Sequence, residues 1–386
     1  MQMDKDKKHI LFLPRWYPNR YDSMWGLFVR KHAEAAALYN HISVLYLEAL
    51  DDGIEKTEIV EEKEEKLYTL YIYYPKPSNP LLYFIKFIKL FLFGVKKINK
   101  ERKIDLLHVH ILSRMGFLAY LYQFISGTPY IITEHWSRYL STVNGFTGKL
   151  RIFLTRFVVK RAKAVLPVTS NLEQAMKSHG LQNLNYQVVP NVVEDIFFKK
   201  DLIQNNTPFI RVIHVSTFED KSKNISGIIR GVKSILANRQ DFRFSFIGDG
   251  MDFENMRALA KELDIDESHL EFKGLLEKEA LVKEYIQADF MIINSHYENM
   301  PVVINEAFAC GLPVLSTDVG GINEHLDSSR GRLMPVNDEK AFIENFNWML
   351  DHCREFNPTA IREYAQTHFS YLEIGKTLDS IYSLLK

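Results

Sequence analysis

The sequence predicts an α/β protein made of two Rossmann-like domains, each built on a doubly wound parallel sheet. The chain has 386 residues, enough for two domains that each bury a full core. Short apolar runs alternate with amphipathic stretches along the chain, as in parallel strands that helices cover on both faces. A polar, turn-rich segment over residues 190–208 interrupts this alternation and is interpreted as the interdomain linker.

The predicted strands are short apolar runs rich in isoleucine and valine. They cover residues 10–13, 43–47, 106–109, 130–132 and 165–168 in the first half, and residues 211–215, 244–247, 290–293 and 313–316 in the second. The predicted domains are residues 1–200 and 201–367, with a C-terminal helix over about residues 368–386 that packs back on the first domain. The carboxyl ends of the strands of two such domains face each other across a cleft, where ligands bind.

Composition limits the compartment and the chemistry. The only cysteines are Cys310 and Cys353, and neither belongs to a metal-ligand spacing. This argues for a reducing compartment and against a disulfide framework or a zinc site. The apolar run near the N-terminus is too short for a signal peptide or a membrane span and is interpreted as the first strand. We therefore expect a cytoplasmic protein.

Charge is distributed unevenly between the two halves. Residues 1–200 hold 29 Lys and Arg against 19 Asp and Glu, and residues 201–386 hold the reverse, 19 against 29. Two stretches of the first half are strongly basic. Residues 81–103 carry seven basic side chains against Glu101, and residues 149–163 carry six with no acid. They are either the solvated faces of ordinary helices or a surface for an anionic membrane, and the charge asymmetry favours the membrane. No motif indicates nucleic-acid binding.

Two glutamates carry the clearest chemical signal. Glu298 follows the predicted strand 290–293, and Glu306 lies eight positions later, beyond Pro301, which suits the first turn of a helix. Two helical turns between them would point both carboxylates the same way. Gly320 and Gly321 follow the next strand at a predicted helix start, where backbone N–H groups and the helix dipole can hold a phosphate.

The run over residues 295–324 resembles the E-x7-E region of the retaining GT-B glycosyltransferases of family 4. The similarity includes both glutamates, the E-A-F-A-C-G-x-P-V run that starts at Glu306, and G-G-x-x-E after it. Further landmarks of the family occur in order along nearly the whole chain: Trp16-Tyr17-Pro18, Gly26, His108-x-His110, Glu134-His135, Val189-Pro190-Asn191, Lys223-Asn224 and Gly248-Asp249-Gly250.

The resemblance implies roles on the donor side. Glu306 would accept hydrogen bonds from the ribose hydroxyls of the donor, and Glu298 would bind a hydroxyl of the transferred sugar, as carboxylates do through strong charge-assisted bonds. Backbone N–H groups of Asn299 and Met300 would hold the same sugar. Gly320 and Gly321 would face the diphosphate.

The resemblance also implies a cation for the leaving diphosphate. Lys223 would neutralise it as a point charge, and the nearby Lys221 is the alternative. The family usually has an arginine six residues before this lysine, whereas this chain has Thr217. Thr217, with Ser216, would contribute hydroxyl hydrogen bonds to a phosphate oxygen but no charge.

In the first half of the chain, the resemblance implies residues that contact the transferred sugar and the acceptor. Gly26 would allow close backbone approach to the diphosphate or the acceptor. His135 would contact the transferred sugar near the reacting carbon, and Trp136, where the family has glycine, would narrow the pocket. Of His108 and His110, one is expected to line the cleft, with His110 preferred. The acceptor-side or cleft-lining residues are Trp16, His110 and Trp136.

The predicted function is retaining transfer of a hexose-type sugar from a nucleotide-diphosphate sugar to a glycan or lipid-linked acceptor. Such transfer belongs to cell-surface polysaccharide or glycolipid assembly, on the inner face of the membrane. The resemblance implies no cofactor and no metal, because Lys223, backbone amides and a helix N-terminus replace it. A sugar-nucleotide 2-epimerase and a catalytically weak sugar-nucleotide-binding subunit remain alternatives. The residues do not distinguish a UDP from a GDP donor, nor name the sugar or the acceptor.

Overall fold

The computed structural model describes residues 7–51, 54–199, 201–202 and 207–384, which divide into two compact units. Unit 1 comprises Met1–Val192 and Tyr371–Lys386, and unit 2 comprises Val193–Ser370. The boundary therefore precedes the predicted one at residue 200, because the Val193 N–H already donates to the Phe369 carbonyl of unit 2. Asn205 and Asn206 of the predicted linker lie outside the described residues.

Unit 1 is built on a seven-stranded sheet in the order β3-β4-β2-β1-β5-β6-β7, parallel except for the edge strand β3. Its strands are β1 (His9–Pro14), β2 (His41–Leu50), β3 (Glu58–Lys63), β4 (Leu67–Pro75), β5 (Leu106–His110), β6 (Tyr130–Glu134) and β7 (Val165–Pro167). Its helices are α1 (Leu27–Ala37), α2 (Pro80–Glu101), α3 (Arg114–Ser126), α4 (Lys149–Arg161) and α5 (Ser170–Ser178), and the C-terminal helix described below.

Unit 2 is built on a six-stranded parallel sheet in the order β10-β9-β8-β11-β12-β13. Its strands are β8 (Ile210–Val215), β9 (Phe242–Ile247), β10 (Leu270–Phe272), β11 (Phe290–Ile293), β12 (Val314–Thr317) and β13 (Gly331–Met334). Its α-helices are α6 (Asp220–Lys223), α7 (Ile225–Leu236), α8 (Phe253–Glu262), α9 (Lys278–Gln287), α10 (Val302–Ala309), α11 (Glu339–His352) and α12 (Pro358–Phe369).

The C-terminal helix α13 (Tyr371–Leu384) belongs to unit 1 and packs on α1. A side chain at Gly375 would meet the Ala35 carbonyl oxygen at 2.5 Å, so glycine allows the two helices to approach closely. The Tyr371 hydroxyl donates to Glu34 at 2.7 Å, and the Asn40 amide donates to Asp379 at 2.9 Å. The end of the chain thus helps to close the core of unit 1.

Both sheets have the strand order 3-2-1-4-5-6 of a doubly wound fold, with β3 added at one edge of unit 1. The order reverses between β1 and β5 in unit 1 and between β8 and β11 in unit 2. Loops after the carboxyl ends of such strands form the usual ligand site of a doubly wound sheet. The structure confirms the predicted α/β class, and every predicted strand overlaps an observed one.

Four observed strands were not predicted: β3, β4, β10 and β13. The strands β10 and β13 are short edge strands in which Glu271 and Arg332 interrupt the apolar residues, so neither forms an apolar run. The strand β4 reads Leu-Tyr-Thr-Leu-Tyr-Ile-Tyr-Tyr-Pro and is almost entirely buried, so its β-branched and aromatic content was a usable signal. The acidic strand β3 pairs antiparallel with β4 and is mostly exposed.

Candidate functional site

An ion pair joins the two loops at the point where the strand order of unit 2 reverses. Lys223, the last residue of α6, follows β8, and its Nζ lies 2.5 Å from Oε1 of Glu298, in the loop after β11. The Ser295 hydroxyl donates to the same carboxylate oxygen at 2.8 Å. The two charged side chains are only 19% and 11% exposed, so solvent screens this pair less than a surface pair.

The structure distinguishes the two candidate lysines. Lys221 is exposed, whereas Lys223 is half-buried and contacts Glu298. Asn224 adopts a left-handed conformation (φ 51°) that ends α6 and starts α7 in a new direction. This turn places the last side chain of α6 beside the loop after β11, and Lys223 is therefore the better placed cation.

Two full helical turns do not separate the two glutamates, contrary to the prediction. The helix α10 begins at Val302, after Pro301, and Glu298 lies in the loop before it. A proline disfavours helical backbone at the residue before it, so the helix cannot extend back to Glu298. Glu306 lies on α10, is 6% exposed, and accepts a hydrogen bond from Tyr285 at 3.3 Å. The contacts of the two carboxylates are thus set by different elements.

The prediction for the two glycines after β12 needs correction. Only a three-residue 3-10 turn, Ile322–Glu324, follows them, not an α-helix. The Gly321 N–H donates to the Asn299 carbonyl at 2.7 Å, so it is not a bare donor. Gly320 has φ 62°, and a side chain there would lie 2.1 Å from the Glu298 carbonyl oxygen. The glycines therefore fix the backbone that carries Glu298 and Asn299. Met300 is buried in the apolar core behind this loop.

The hydroxyl residues after β8 differ in exposure. Thr217 is exposed, whereas Ser216 is half-buried and its hydroxyl lies 2.7 Å from Nε2 of His214. Gly248 and Gly250 hold this loop, because a side chain on Gly248 would lie 1.9 Å from the Ser216 carbonyl oxygen and one on Gly250 would lie 2.7 Å from the Phe218 backbone. The Gly-Asp-Gly landmark thus permits two loops to touch.

His135 lies in unit 1, in the loop after β6. Its Nδ1 is 3.1 Å from the Asn191 side-chain oxygen, and its ring contacts Phe28 with centroids 4.6 Å apart. Burial, together with the neighbouring His32, holds its pKa well below the usual range, so the imidazole is neutral at pH 7. A neutral imidazole at this position can exchange hydrogen bonds with a hydroxyl.

His110 does not line an open surface as predicted. It is fully buried, stacks on Phe12, and lies with Nδ1 3.4 Å from Nε2 of His135. His108 is also fully buried and contacts Tyr382 and Thr133, so it belongs to the core. His110 therefore contacts His135 from the buried side of its ring.

A buried carboxylate that sequence reasoning cited only as a landmark anchors the loop of His135. Glu134 ends β6 and is fully buried. Its Oε1 accepts the N–H groups of His135 and Trp136, each at 3.0 Å, and its Oε2 accepts the Leu112 N–H at 3.0 Å. A carboxylate at the end of an otherwise apolar strand was the available signal, because burying it requires such partners.

Three tryptophans of unit 1, Trp16, Trp25 and Trp136, form a cluster. The Trp16 ring lies 5.2 Å from that of Trp136 and 5.4 Å from that of Trp25. A side chain on Gly26 (φ 68°) would lie 2.3 Å from the Trp16 backbone, so this glycine serves the contact between the loop after β1 and the start of α1. The position that a Cβ of Gly26 would take is thus occupied by the chain's own backbone, and a contact of Gly26 with a ligand stays a prediction. Trp136 in turn contacts two arginines described below.

Among the described residues, no group of three or more His, Cys, Asp or Glu side chains is placed to hold a metal ion, and metal independence stays a prediction. None of the helices in the described ranges is long and apolar enough to cross a bilayer. Both cysteines are free and buried.

Two family models match adjoining parts of the chain. The model described as Glycosyltransferase Family 4 matches residues 41–195, and the model described as Glycosyl transferases group 1 matches residues 194–367. Together they cover the segments that carry His135, Lys223, Glu298 and Glu306. The match therefore includes the residues that form the ion pair and the histidine loop.

Individual proteins that resemble the chain share less than a third of its residues in the aligned regions. The chain is 28% identical over 251 residues to the N-acetyl-alpha-D-glucosaminyl L-malate synthase of Bacillus anthracis, spanning 63% of this chain and 64% of that protein. It is 26% identical over 287 residues to the N-acetylgalactosamine-N,N'-diacetylbacillosaminyl-diphospho-undecaprenol 4-alpha-N-acetylgalactosaminyltransferase of Campylobacter jejuni, spanning 72% and 75%. The crystal structure of Anabaena HepE in complex with UDP superposes with TM-score 0.74 at 15% identity, covering 98% of this chain and all of the other (100%).

Proposed function

The chain belongs to the family 4 glycosyltransferases of the GT-B fold, and from this premise we propose that it is a retaining hexosyltransferase with a nucleotide-diphosphate sugar as donor. The observation that supports the proposal is the pair of Lys223 and Glu298, one cation and one carboxylate placed at the switch point of unit 2. A cation stabilises the diphosphate of the donor, and a carboxylate accepts a hydrogen bond from a sugar hydroxyl. Solved relatives with bound UDP support a nucleotide donor.

In the proposed reaction the diphosphate of the donor replaces Glu298 as the ion-pair partner of Lys223. Glu298, released from its ion pair, accepts a hydroxyl of the transferred sugar, and Glu306 accepts the ribose hydroxyls. The bond between the anomeric carbon and the diphosphate oxygen then breaks, the oxygen of an acceptor hydroxyl bonds to the same face of that carbon, and the hydroxyl proton passes to the departing diphosphate. Lys223 lowers the barrier because negative charge grows on the leaving diphosphate. His135 binds the sugar as a neutral imidazole.

We assign the acceptor to the lipid-linked class, at the cytoplasmic face of a membrane. The outward face of α2 mixes exposed lysines with four apolar side chains that are 39–58% exposed, Leu82, Ile85, Leu92 and Phe93. A helix that faced only water would not expose so many large apolar groups, whereas a membrane-surface helix does. The Campylobacter jejuni relative is named for a diphospho-undecaprenol substrate.

Two lysines of the predicted basic stretch on α2 contact other side chains of unit 1. Lys97 pairs with Glu61 of β3 at 2.8 Å, and Lys86 is half-buried beside the Tyr74 ring. The lysines on α2 that remain exposed are Lys89, Lys96 and Lys100. The membrane proposal therefore depends on these three and on their apolar neighbours.

A catalytically weak sugar-nucleotide-binding subunit is the second candidate. It is favoured by Thr217, which is exposed and uncharged where the family has an arginine. Turnover distinguishes the two candidates. We expect one member of a panel of UDP-, GDP- and ADP-sugars to raise the thermal midpoint and to be consumed in the presence of lipid-linked acceptor. Binding without consumption would favour the subunit, and no binding by any member would refute both.

A further inference from the structure

A cavity of about 470 Å³ lies in unit 1 at the carboxyl ends of β1, β5 and β6. Its polar lining is dominated by four arginines: Arg15 after β1, Arg114 after β5, Arg138 after β6, and Arg151 in the first turn of α4. The remaining lining is largely apolar and includes Phe84 of α2 and Leu150 of α4. The described lining contains no acidic side chain.

The arginines of the cavity lack the partners that such a cluster needs. Among the described residues, no carboxylate forms an ion pair with any of the four. Arg138 is only 6% exposed, and its Nε has no hydrogen-bond partner, although its Nη2 donates to the Leu112 carbonyl and the Tyr139 hydroxyl. The same Tyr139 hydroxyl donates to Oε2 of the buried Glu134 at 3.3 Å, so one carboxylate lies near the four guanidinium groups. The cavity still carries an excess of positive charge, which favours an anion that enters it.

Three of the four guanidinium groups stack on aromatic rings. Arg15 lies 4.6 Å and Arg138 4.2 Å from the centre of the Trp136 ring, and Arg114 lies 4.8 Å from that of Tyr83. Burial and the neighbouring guanidinium groups lower the pKa of Arg15. Such stacking orients a guanidinium and leaves its N–H groups available for an anion. Phosphate and diphosphate groups fit this arrangement, because guanidinium binds them through paired hydrogen bonds.

The rim of the cavity exposes large apolar side chains. Phe84 is 38% and Leu150 71% exposed, and both also line the cavity. Leu81 and Leu82 on the first turns of α2, and Phe153 on α4, are more than half exposed as well. Exposed apolar side chains at the first turns of two basic helices are typical of a surface that contacts lipid.

We propose that this cavity binds the phosphate or diphosphate head of a lipid-linked acceptor, and that the rim of α2 and α4 contacts its hydrocarbon chain. The inference rests on the proposed function and names its acceptor class. A nucleotide does not fit as well, because the described lining contains no carboxylate for ribose hydroxyls. A soluble phosphate compound would leave the apolar rim exposed to water.

Farnesyl diphosphate is a suitable soluble probe, because it combines a short isoprenoid chain with a diphosphate. Calorimetric titration of the full-length protein should show saturable binding, accompanied by a change in the fluorescence of Trp16 and Trp136 beside Arg15. The double variant Arg114→Gln/Arg151→Gln should weaken this binding by about tenfold or more, because each removed hydrogen bond to a charged group contributes up to that factor. Both arginines are exposed, so the variant should fold normally.

A matched control removes two positive charges outside the cavity. The variant Lys160→Gln/Lys163→Gln changes exposed residues at the far end of α4 and should bind farnesyl diphosphate as the unmodified protein does. The variant Phe84→Ser/Leu150→Ser tests the rim. It should weaken farnesyl diphosphate binding while leaving the weaker binding of inorganic diphosphate unchanged.

Several results would overturn the proposal. They are failure of the unmodified protein to bind farnesyl diphosphate, equal binding by the arginine variant, and displacement of the probe by UDP or GDP. Inorganic diphosphate that binds as tightly as the farnesyl compound would indicate a site for a soluble anion instead. The proposed transferase function is tested separately, since nucleotide-sugar binding should be the same in the arginine variant and the unmodified protein. If neither protein binds a nucleotide sugar, the transferase proposal is refuted, whereas the proposal for the cavity is not.

Discussion

The ammonium of Lys223 and the carboxylate of Glu298 form an ion pair between the loops after β8 and β11. Each is the other's charged partner while no donor is present. A diphosphate would compete with Glu298 for Lys223, and the freed carboxylate would then accept a hydroxyl from the sugar. In the proposed reaction, binding of the leaving group and binding of the sugar would thereby be coupled through this contact.

The two glutamates should affect different measurements. Glu306→Ala should weaken binding of the free nucleoside diphosphate by about tenfold, because a charge-assisted bond to the ribose is lost. Glu298→Ala should leave that binding unchanged or stronger, since it releases Lys223, and should lower turnover. Calorimetry with UDP and GDP, together with turnover rates, measures both. Equal nucleotide binding by Glu306→Ala and the unmodified protein would refute the assignment.

Lys223→Ala should lower kcat by about 10²–10³-fold, the usual effect of removing one group that stabilises charge in the transition state. Lys221→Ala is the matched control, because Lys221 is two residues away and exposed. Steady-state kinetics with the donor identified by the panel measures the effect. If Lys221→Ala is the damaging change and Lys223→Ala is mild, the leaving-group cation has been assigned to the wrong lysine.

Thr217→Arg should be tolerated or should raise turnover. Thr217 is exposed, so a longer side chain meets little steric conflict, and the added charge could assist Lys223 at the diphosphate. Thr217→Lys and Thr217→Gln separate the effect of charge from that of size. A large loss of activity in Thr217→Arg, with the thermal midpoint unchanged, would mean that Thr217 belongs to a phosphate site built differently from that of the family.

Membrane binding should depend on the outward face of α2. Changing Lys89, Lys96 and Lys100 to Glu should abolish co-sedimentation with anionic vesicles, because each lysine near such a surface contributes about 1 kcal/mol. Lys97 should be left unchanged, since it pairs with Glu61. Binding by the unmodified protein should fall steeply with salt.

The matched control for membrane binding changes three exposed lysines of unit 2, Lys261, Lys283 and Lys340, to Glu. It should co-sediment as the unmodified protein does, and nucleotide binding should be normal in both variants. If the unmodified protein ignores anionic vesicles even at low salt, the exposed face of α2 is not a membrane surface, and a soluble acceptor becomes the better hypothesis.

Acid should destabilise the fold through its buried histidines. Burial lowers the pKa of His214 and of His325 to about 4, and it holds those of His108 and His110 well below their usual range. Between about pH 6.5 and 4 the unfolded chain binds protons that the folded chain does not, so stability is retained above pH 6.5 and lost as pH falls. Each such histidine contributes up to about 1.4 kcal/mol per pH unit.

The thermal midpoint measured from pH 7.5 to pH 4.5 checks this slope. His325→Phe should flatten it, because it removes a histidine whose ring contacts Phe369 and whose Nε2 has no partner. The substitution also removes the contact of Nδ1 with the Tyr364 hydroxyl at 2.9 Å, which should lower the midpoint equally at every pH. His352→Phe is the control, because the His352 side chain is 37% exposed and a phenyl ring can keep its stacking on Trp348. A slope that is the same in His325→Phe as in the unmodified protein would contradict the prediction.

Local sequence patterns were sufficient for the class of fold and for the family. Apolar runs rich in Ile and Val predicted the central strands of both sheets, because a strand buried on both faces admits few other residues. The family and the GT-B fold are confirmed by the matches over residues 41–195 and 194–367. The edge strands β10 and β13 were not predicted, because a charged residue interrupts the apolar residues of each.

The site depended on contacts between distant segments, which no local pattern contains. Sequence analysis favoured Lys223 over Lys221, and the left-handed turn at Asn224 explains why Lys223, and not the exposed Lys221, lies beside Glu298. It attributed the glycines to ligands, whereas the tertiary structure shows that Gly320 and Gly26 make room for the chain's own backbone. It did not assign a role to the arginines that line the cavity of unit 1, because residues 15, 114, 138 and 151 come together only when β1, β5, β6 and α4 pack. The amino-acid sequence thus determined which elements form and which chemistry is available, and only packing decided which charged groups meet.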